Sequence, residues 1–473
     1  MLTAVILTPL LGSLIVALLG RLSAKVARVL ALLASLASFG VVIAAVATSS
    51  GSQAASGAAQ WWMLTMDGIA APLLLLTGFL GVIAVLAARS ETRSPAAHYA
   101  LLLAVQASVS GVFLAGNLVL FYAFWEAVLI PMYFIIGIWG AENRRHAAMK
   151  FFIYTFAGSA LMLVGLIIAM FQGNAFAMGD LLSTPLSVGL QGPVFWLLSI
   201  GFLMKLPVVG LHTWQPDAYT QAPTSGSILL SGVLAKMGAY ALLRIAIPIA
   251  PAAYDAARPV LVALGIIGII YGALVALAQS DLKRLIAYSS IAHMGFVVLA
   301  IGIGTPLALG AAMLVMISHG LVAGMLFLLA GQLYERTGTY EMSRLGGFGK
   351  VLPAWATAFT FAALASLGLP GLSGFPGELA AVLESWGSIG WWTALAALGV
   401  VFSAAYNLTA VRRVNHGPVA EEFAGIADLG LAEWLAVAPL AVGIVVVGVW
   451  PQFVTGMAEP ALRALAAVTG GAL

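Results

Sequence analysis

Apolar runs of about twenty residues follow one another along almost the whole sequence, parted by only a few polar positions. A backbone in hydrocarbon must satisfy its own N–H and C=O groups, so only helices and closed barrels can span it. Runs of this length fit helices, because a helix rises about 1.5 Å per residue and the hydrocarbon layer is about 30 Å thick. Of the 473 residues only 8% are charged and 62% are hydrophobic. A soluble domain carries roughly a quarter charged residues, so lipid is the main solvent and the fold class is an all-α polytopic membrane protein. There is no cysteine, which removes disulfides, thiolate-bound metal and iron–sulfur clusters from this chain. A net charge of +3 gives no reason to expect nucleic acid; the basic residues report topology instead. Arg21, Lys25 and Arg28 follow the first apolar run where a cleavage site would need small residues, so no cleavable signal is expected.

About fourteen spans fit between residues 3 and 450. The loop charges orient them. Arg21/Lys25/Arg28, Arg89/Arg93, Arg144/Arg145/Lys150, Lys283/Arg284, Arg336/Arg344/Lys350 and Arg412/Arg413 all fall on one side. The other side carries Arg244 and Arg258, with Arg463 in the tail. The excess of positive charge marks the cytoplasmic side, which places both termini on the non-cytoplasmic side. The run 353–389 is too long for one ordinary span. Splitting it into two would move Arg412/Arg413 to the wrong side, so one broken helix with an extended middle is expected.

Two breaks share a pattern. "LPVVGLHTWQP" starts at Leu206 and "LPGLSGFPGEL" at Leu369. An odd number of spans separates them, so the broken helices run in opposite directions. That is the mark of an inverted repeat with its working site near mid-membrane.

Several ionisable residues lie inside the spans: Glu126, Lys205, Lys236, His293, His319 and Glu378. A charge at a helix centre costs about 2.5–3.5 kcal/mol on insertion scales. Each residue also has a bland explanation. The lysines can snorkel. Glu126 can be a neutral packing carboxyl. Each histidine, taken singly, fits better as a core histidine bonded to a carbonyl. Glu378 can cap the helix that resumes after "GFPG". Glu384 and Asp217 read as peripheral, and His212, just past the first break, reads either way. As a set, however, two acids, two lysines and two histidines share a depth in different helices. No metal-ligand spacing, phosphate loop, nucleophile elbow or haem motif joins them. What remains is a row of groups able to take and give protons. A carboxylate moving toward or away from a buried lysine decides whether that lysine holds its proton. Glu126 and Lys205 form such a candidate pair, with the break beside Lys205 as hinge and wet pocket.

The blocks "FYAFWEAVLIPMYFIIGIWG" (121–140), "KFFIYTFAGSALML" (150–163), "HTWQPDAYTQAPTSGSILLSGVLAKMGAY" (212–240), "DLKRLIAYSSIAHMGF" (281–296) and "LPGLSGFPGE" (369–378) resemble the proton-pumping, antiporter-like membrane subunits of respiratory complex I. The resemblance covers nearly the whole chain. It implies fourteen helices with broken helices 7 and 12 and two inverted five-helix repeats. Residues 1–97 would hold three helices, 98–250 the first repeat (helices 4–8), 251–415 the second (helices 9–13), and 416–473 the last helix and tail. It also implies roles in proton transfer. The family's fifth-span glutamate falls on Glu126, its seventh- and eighth-span lysines on Lys205 and Lys236, and its twelfth-span terminal group on Glu378. His319 joins this set, with His212 and His293 as further candidates. The acid at 378 sets the chain apart from branches that carry lysine there, and "GFPGE" departs mildly from the more usual "NFVGE". Without the long lateral C-terminal helix of one branch, the chain resembles the shorter members.

The resemblance implies a subunit with no cofactor of its own. NADH, FMN, iron–sulfur clusters and quinone, ubiquinone or menaquinone, belong to partner subunits. The partners implied are other membrane subunits, neighbouring antiporter-like ones among them, and lipid, in the bacterial inner (plasma) membrane. Two other readings stand beside it. One is a subunit of an Mrp-type cation/proton antiporter, against which the acid at 378 argues. The other is a scaffold without transport, which leucines in place of the buried ionisable row would serve better.

Overall fold

A computed structural model describes residues 1–48, 53–56, 61–90, 93–173, 176–183 and 186–468. Helices make up nearly all of it. The first are α1 (Leu2–Leu19), α2 (Ala24–Ala47), α3 (Ala70–Ala87) and α4 (Pro95–Leu114). A small antiparallel hairpin, β1 (Gln53–Ser56) with β2 (Met63–Met66), lies between α2 and α3. Next come α5 (Leu118–Ala127), α6 (Leu129–Trp139), α7 (Arg144–Gly173), the short α8 (Met178–Ser183), α9 (Val188–Lys205) and α10 (Trp214–Gln221). One continuous helical path then holds α11 (Thr224–Leu229), α12 (Ala235–Ala241) and α13 (Ile247–Ile249), joined by π-helical turns at Leu230–Leu234 and Leu242–Ala246. The rest are α14 (Pro251–Leu277), α15 (Leu282–Ile303), α16 (Pro306–Thr337), α17 (Phe348–Val351), α18 (Pro353–Ser366), α19 (Gly374–Ile389), α20 (Thr393–Asn415), α21 (Leu431–Val449) and α22 (Gln452–Val468).

Among the described residues, 13 stretches are long and apolar enough to cross a membrane. One of them, Gly374–Asn415, is 42 residues long. It is interrupted by a 3-10 turn at Gly390–Trp392, where Gly390 has φ 55°. Counted as the two helices α19 and α20, it brings the total to the fourteen crossings expected.

Local chemistry sets the helix ends. Pro95, Pro251, Pro306 and Pro353 each open a helix, where the missing N–H costs nothing and the fixed φ suits the first turn. Asp281 and Thr305 cap α15 and α16 by accepting from the N–H groups of Arg284 and Ala308. Gly304 and Gly338 end the same two helices in the left-handed region, with φ 73° and 69°.

Both sequence breaks are real. α9 stops at Lys205, Pro207 follows, Gly210 takes φ 96°, and helix resumes at Trp214. α18 stops at Ser366, Gly368 and Gly371 take φ 80° and 89° around Pro370, and helix resumes at Gly374. A third discontinuity was not foreseen. Pro131 cannot donate to the carbonyl of Ala127, and helix five divides at Val128 into α5 and α6, directly beside Glu126.

α16 is the axis of the second half. It packs on α15, α18, α19, α21 and α22, and also on α3 and α11 of the first half. α14 and α15 approach through glycines. A Cβ on Gly265 would meet the Leu299 nitrogen at 2.5 Å and the Gly295 carbonyl oxygen at 2.9 Å, so the backbones themselves touch. Small residues allow this in membranes, where packing rather than water exclusion drives association. The tail foreseen after the last span is instead the amphipathic helix α22, which buries Val454, Ala458, Leu462, Leu465 and Ala466. Several basic residues assigned to loops lie within helices, Arg244 in the second π-helical turn among them. Arg258 sits within α14, and Lys283 is buried in the first turn of α15, where its Nζ donates to the Ala222 carbonyl at 2.6 Å.

Gly265→Leu forces side-chain atoms into the α15 backbone, an overpacking that costs about 1–3 kcal/mol or more. A lower midpoint of thermal unfolding and less folded protein in the membrane are the expected outcomes; a variant with unchanged melting and yield would show that α14 and α15 do not depend on this contact.

Candidate functional site

The six in-span candidates separate into two groups. The first surrounds the break after α9. Lys205 is 2% exposed. Its Nζ lies 4.3 Å from the centre of the Trp125 ring and 3.5 Å from the Trp125 carbonyl oxygen. An ammonium over an indole face is attracted by the ring quadrupole. Glu126 is the next residue along α5. It is not hydrogen-bonded to Lys205, and Glu126 Oε1 is buried without a hydrogen-bond partner. Lys205 therefore holds to the backbone and ring of α5, with the carboxylate in reserve. His212 faces away from this pair. Its Nδ1 accepts from the Gly210 N–H at 3.2 Å, and its Nε2 lies 3.3 Å from the Tyr271 hydroxyl on α14.

The second group is a string across four elements. Lys236 is fully buried. Its Nζ donates to the Ser231 carbonyl at 2.5 Å and lies 2.7 Å from His319 Nδ1. Ser231 belongs to the first π-helical turn of its span, a distortion that recurs at functional positions. The rings of His319 and His293 are 5.7 Å apart. His293 Nδ1 lies 2.6 Å from Glu378 Oε1, and its Nε2 is within 3.2 Å of both the Ser366 and the Tyr406 hydroxyls. A cavity of about 10 Å³, room for roughly one water, lies between α15, α16, α18 and α19. His293, His319 and Glu378 line it. His319 Nε2 and Glu378 Oε2 are buried without partners.

Two of the bland explanations fail here. The histidines bond ionisable side chains and hydroxyls, not the carbonyls expected for core histidines. Glu378 is five residues into α19 and bonds His293, so it is not holding the helix N-terminus. Asp217 and Glu384 are peripheral as expected. Asp217 pairs with Lys150 at 2.6 Å and approaches Arg284 at 4.0 Å, and Glu384 accepts from Thr305 at 2.6 Å.

The chemistry available is proton hand-over. An ammonium at Lys236 donates to His319 Nδ1, and an imidazolium formed there can release its other proton from Nε2 into the cavity. Glu378 and His293 are joined by one short hydrogen bond. No group of three His, Asp or Glu residues among those described could hold a metal ion.

Sequence reading missed the hydroxyl and amide groups that complete the site. Ser366 and Tyr406 bond His293, and Asn407 donates to Ser366 at 3.2 Å and to the Ser403 carbonyl at 3.0 Å. "SAAYN" inside the run 392–411 was the available signal. A triad around a buried acid also went unseen: Glu433, at the start of α21, takes two bonds from Arg336 at 2.8 Å each and a third contact from Arg89 at 2.9 Å. It ties the ends of α3, α16 and α21 together on the side of the basic loops.

With this geometry in hand, comparison with known proteins is direct. Residues 115–404 match the family described as NADH:quinone oxidoreductase/Mrp antiporter, TM. NAD(P)H-quinone oxidoreductase chain 4 of Thermosynechococcus vestitus is 41% identical over 425 residues, 87% of this chain and 79% of that protein. NADH-quinone oxidoreductase subunit M of Pseudomonas aeruginosa is 41% identical over 424 residues, 87% of this chain and 83% of the relative. A chain in the structure of respiratory complex I from Thermus thermophilus with bound NADH superimposes with a TM-score of 0.92 at 33% identity, each chain covered in full (100%). A chain of the Mrp complex from Dietzia superimposes with a TM-score of 0.87 at 20% identity over 99% of both chains, a likeness of fold alone. The chain therefore belongs to the NADH:quinone oxidoreductase/Mrp antiporter transmembrane family, among its subunit M (chain 4) members.

Proposed function

We propose that this chain is a proton-translocating membrane subunit of an NADH-quinone oxidoreductase, moving protons through the row Glu126, Lys205, Lys236, His319, His293 and Glu378. The observation that carries this is the string Lys236–His319–His293–Glu378, in which consecutive titratable groups stand within 2.7 Å, 5.7 Å between ring centres, and 2.6 Å. Such a row is costly in hydrocarbon, and a subunit that did not move protons would gain stability by replacing it. NADH, FMN, iron–sulfur clusters and quinone are assigned to partner subunits, and this chain supplies no redox centre. The neighbours are other membrane subunits of the same complex, in the bacterial inner membrane.

The same reading divides the chain into two inverted repeats, 98–250 and 251–415. The packing supports it: α7 lies on both parts of the first broken helix, α9 and α10, as α16 lies on both parts of the second, α18 and α19, and α4 lies by α12 as α14 lies by α20. Glu126 and Lys205 form the switch of the first repeat, and Glu378 the terminal group of the second. His212 lines the first break but stands outside the row.

Lys205→Ala removes the first carrier, so proton translocation per NADH oxidised is expected to be lost from this subunit while the complex still assembles; normal proton uptake by inverted vesicles of the variant would refute the assignment. Glu378→Gln keeps an acceptor oxygen for His293 but cannot titrate. Pumping should fall with subunit content unchanged, and wild-type pumping would mean Glu378 only holds His293. Orientation is testable because the chain has no cysteine. Single cysteines at Arg144 and Arg412 should react with an impermeant thiol reagent only from the cytoplasmic side, and a cysteine at Gln452 only from the other; the reverse pattern would invert the topology.

A further inference from the structure

The terminal group Glu378 stands near a second, larger cavity that the row does not use. Between the first third of α16, α19 and the amphipathic α22 lies an open cleft of about 730 Å³. Its rim is on the side opposite the basic loops, where α16 begins at Pro306. Thr305, Glu384, Glu459 and Arg463 give it a polar lining. Glu459 is engaged by Arg463 at 2.6 Å within α22. Glu384 is half-buried and accepts from Thr305 through Oε2 at 2.6 Å.

The cleft and the inner cavity are lined by consecutive residues of α16. Leu314 lines the cleft, and the next residue, Val315, lines the cavity that holds His319 and Glu378. Ala380 lines the cleft two residues beyond Glu378, about 200° further round α19. Between them α16 and α19 are in backbone contact: a Cβ on Gly377 would meet the Val315 nitrogen at 2.9 Å and the Leu314 Cβ at 3.0 Å. The layer formed by Gly377 against Leu314–Val315 lies where the linings of the two spaces meet. On the inner side, Glu378 Oε2 is buried without a partner.

We propose that this cleft is the outward vestibule of the proton site and that Glu384 is its proton acceptor. This rests on the proton-translocating reading above. A proton leaves the Glu378 carboxyl through water admitted when the Gly377–Leu314 layer parts, and is taken up by the Glu384 carboxylate. Glu384 then releases it to bulk solvent and is a carboxylate again, so no net bond is made or lost. The Thr305 bond holds the acceptor at the mouth, and the Glu459–Arg463 pair keeps that mouth hydrated.

The test uses the assembled complex in vesicles, with Glu384→Gln, Glu384→Asp, Glu378→Gln and Ala380→Cys compared for protons moved per NADH oxidised. Glutamine still accepts from Thr305, so a purely structural role survives Glu384→Gln. The expected result is that Glu384→Gln lowers the proton yield to the level of Glu378→Gln, while Glu384→Asp pumps as wild type. A charged, impermeant thiol reagent applied from the non-cytoplasmic side should label Ala380→Cys and lower its proton yield, with the parent complex as control. If Glu384→Gln pumps as wild type while Glu378→Gln does not, or if the cysteine at 380 is not labelled, the exit lies elsewhere and the row stands. If Glu378→Gln pumps as wild type, the row itself fails.

Discussion

The cost of an ion in a low-dielectric interior governs this structure. Lys236 has no exposed surface, and a lone ammonium there would cost several kcal/mol even after relaxation. Its neighbours offset that cost. The Ser231 carbonyl and His319 Nδ1 both reach Nζ at hydrogen-bond distance. His319 must in turn sit on α16, whose length and complete burial hold it at the centre of the bundle. His293 must lie across from it on α15, and Glu378 on the helix that resumes after the second break. Lys236 is partnered by His319 and Glu378 by His293, and the two pairs meet ring to ring.

The helix breaks have the same cause. An intact helix consumes its backbone polar groups and offers none to side chains. Breaks at 206–213 and 367–373 end helices beside Lys205 and before Glu378, and the small inner cavity lies by Glu378. The π-helical turn at Leu230–Leu234 places Ser231 where Lys236 can reach its carbonyl. The division at Val128, caused by Pro131, does the equivalent beside Glu126. The row is built where regular helix is interrupted, and close glycine packing elsewhere, as between α14 and α15, keeps those interruptions local.

Strength of attachment differs along the row. Glu378 and His293 are bonded at 2.6 Å inside a shell of Ser366, Tyr406 and Asn407. Glu126 Oε1 has no partner and Lys205 rests on a ring and a carbonyl. Glu126 and Lys205 are thus held loosely and the Glu378–His293 pair tightly, which suits a switch in one and a relay in the other. The Arg89–Glu433–Arg336 triad supplies a fixed point away from both.

What the sequence determined by itself was depth and direction along the membrane normal. Run length set the crossings, the basic loops set their order, and Leu-Pro pairs with nearby glycines marked the breaks. Glu126, Lys205, Lys236, His293, His319 and Glu378 were visible because charge in an apolar run is expensive. Tertiary structure decided which of them meet. A helix apolar on all sides carries no stripe to fix its rotation, so nothing in "MLVMISHGLV" tells which way His319 points. Packing turned it toward Lys236 on one side and His293 on the other. The same uncertainty hid Tyr406 and Ser366, whose hydroxyls carry no insertion cost large enough to stand out. It also concealed Lys283, whose place in a basic loop cluster suggested solvent, while the fold buried it against the Ala222 carbonyl. Azimuth around the helix axis, unlike depth, is set only when neighbouring helices press against one another.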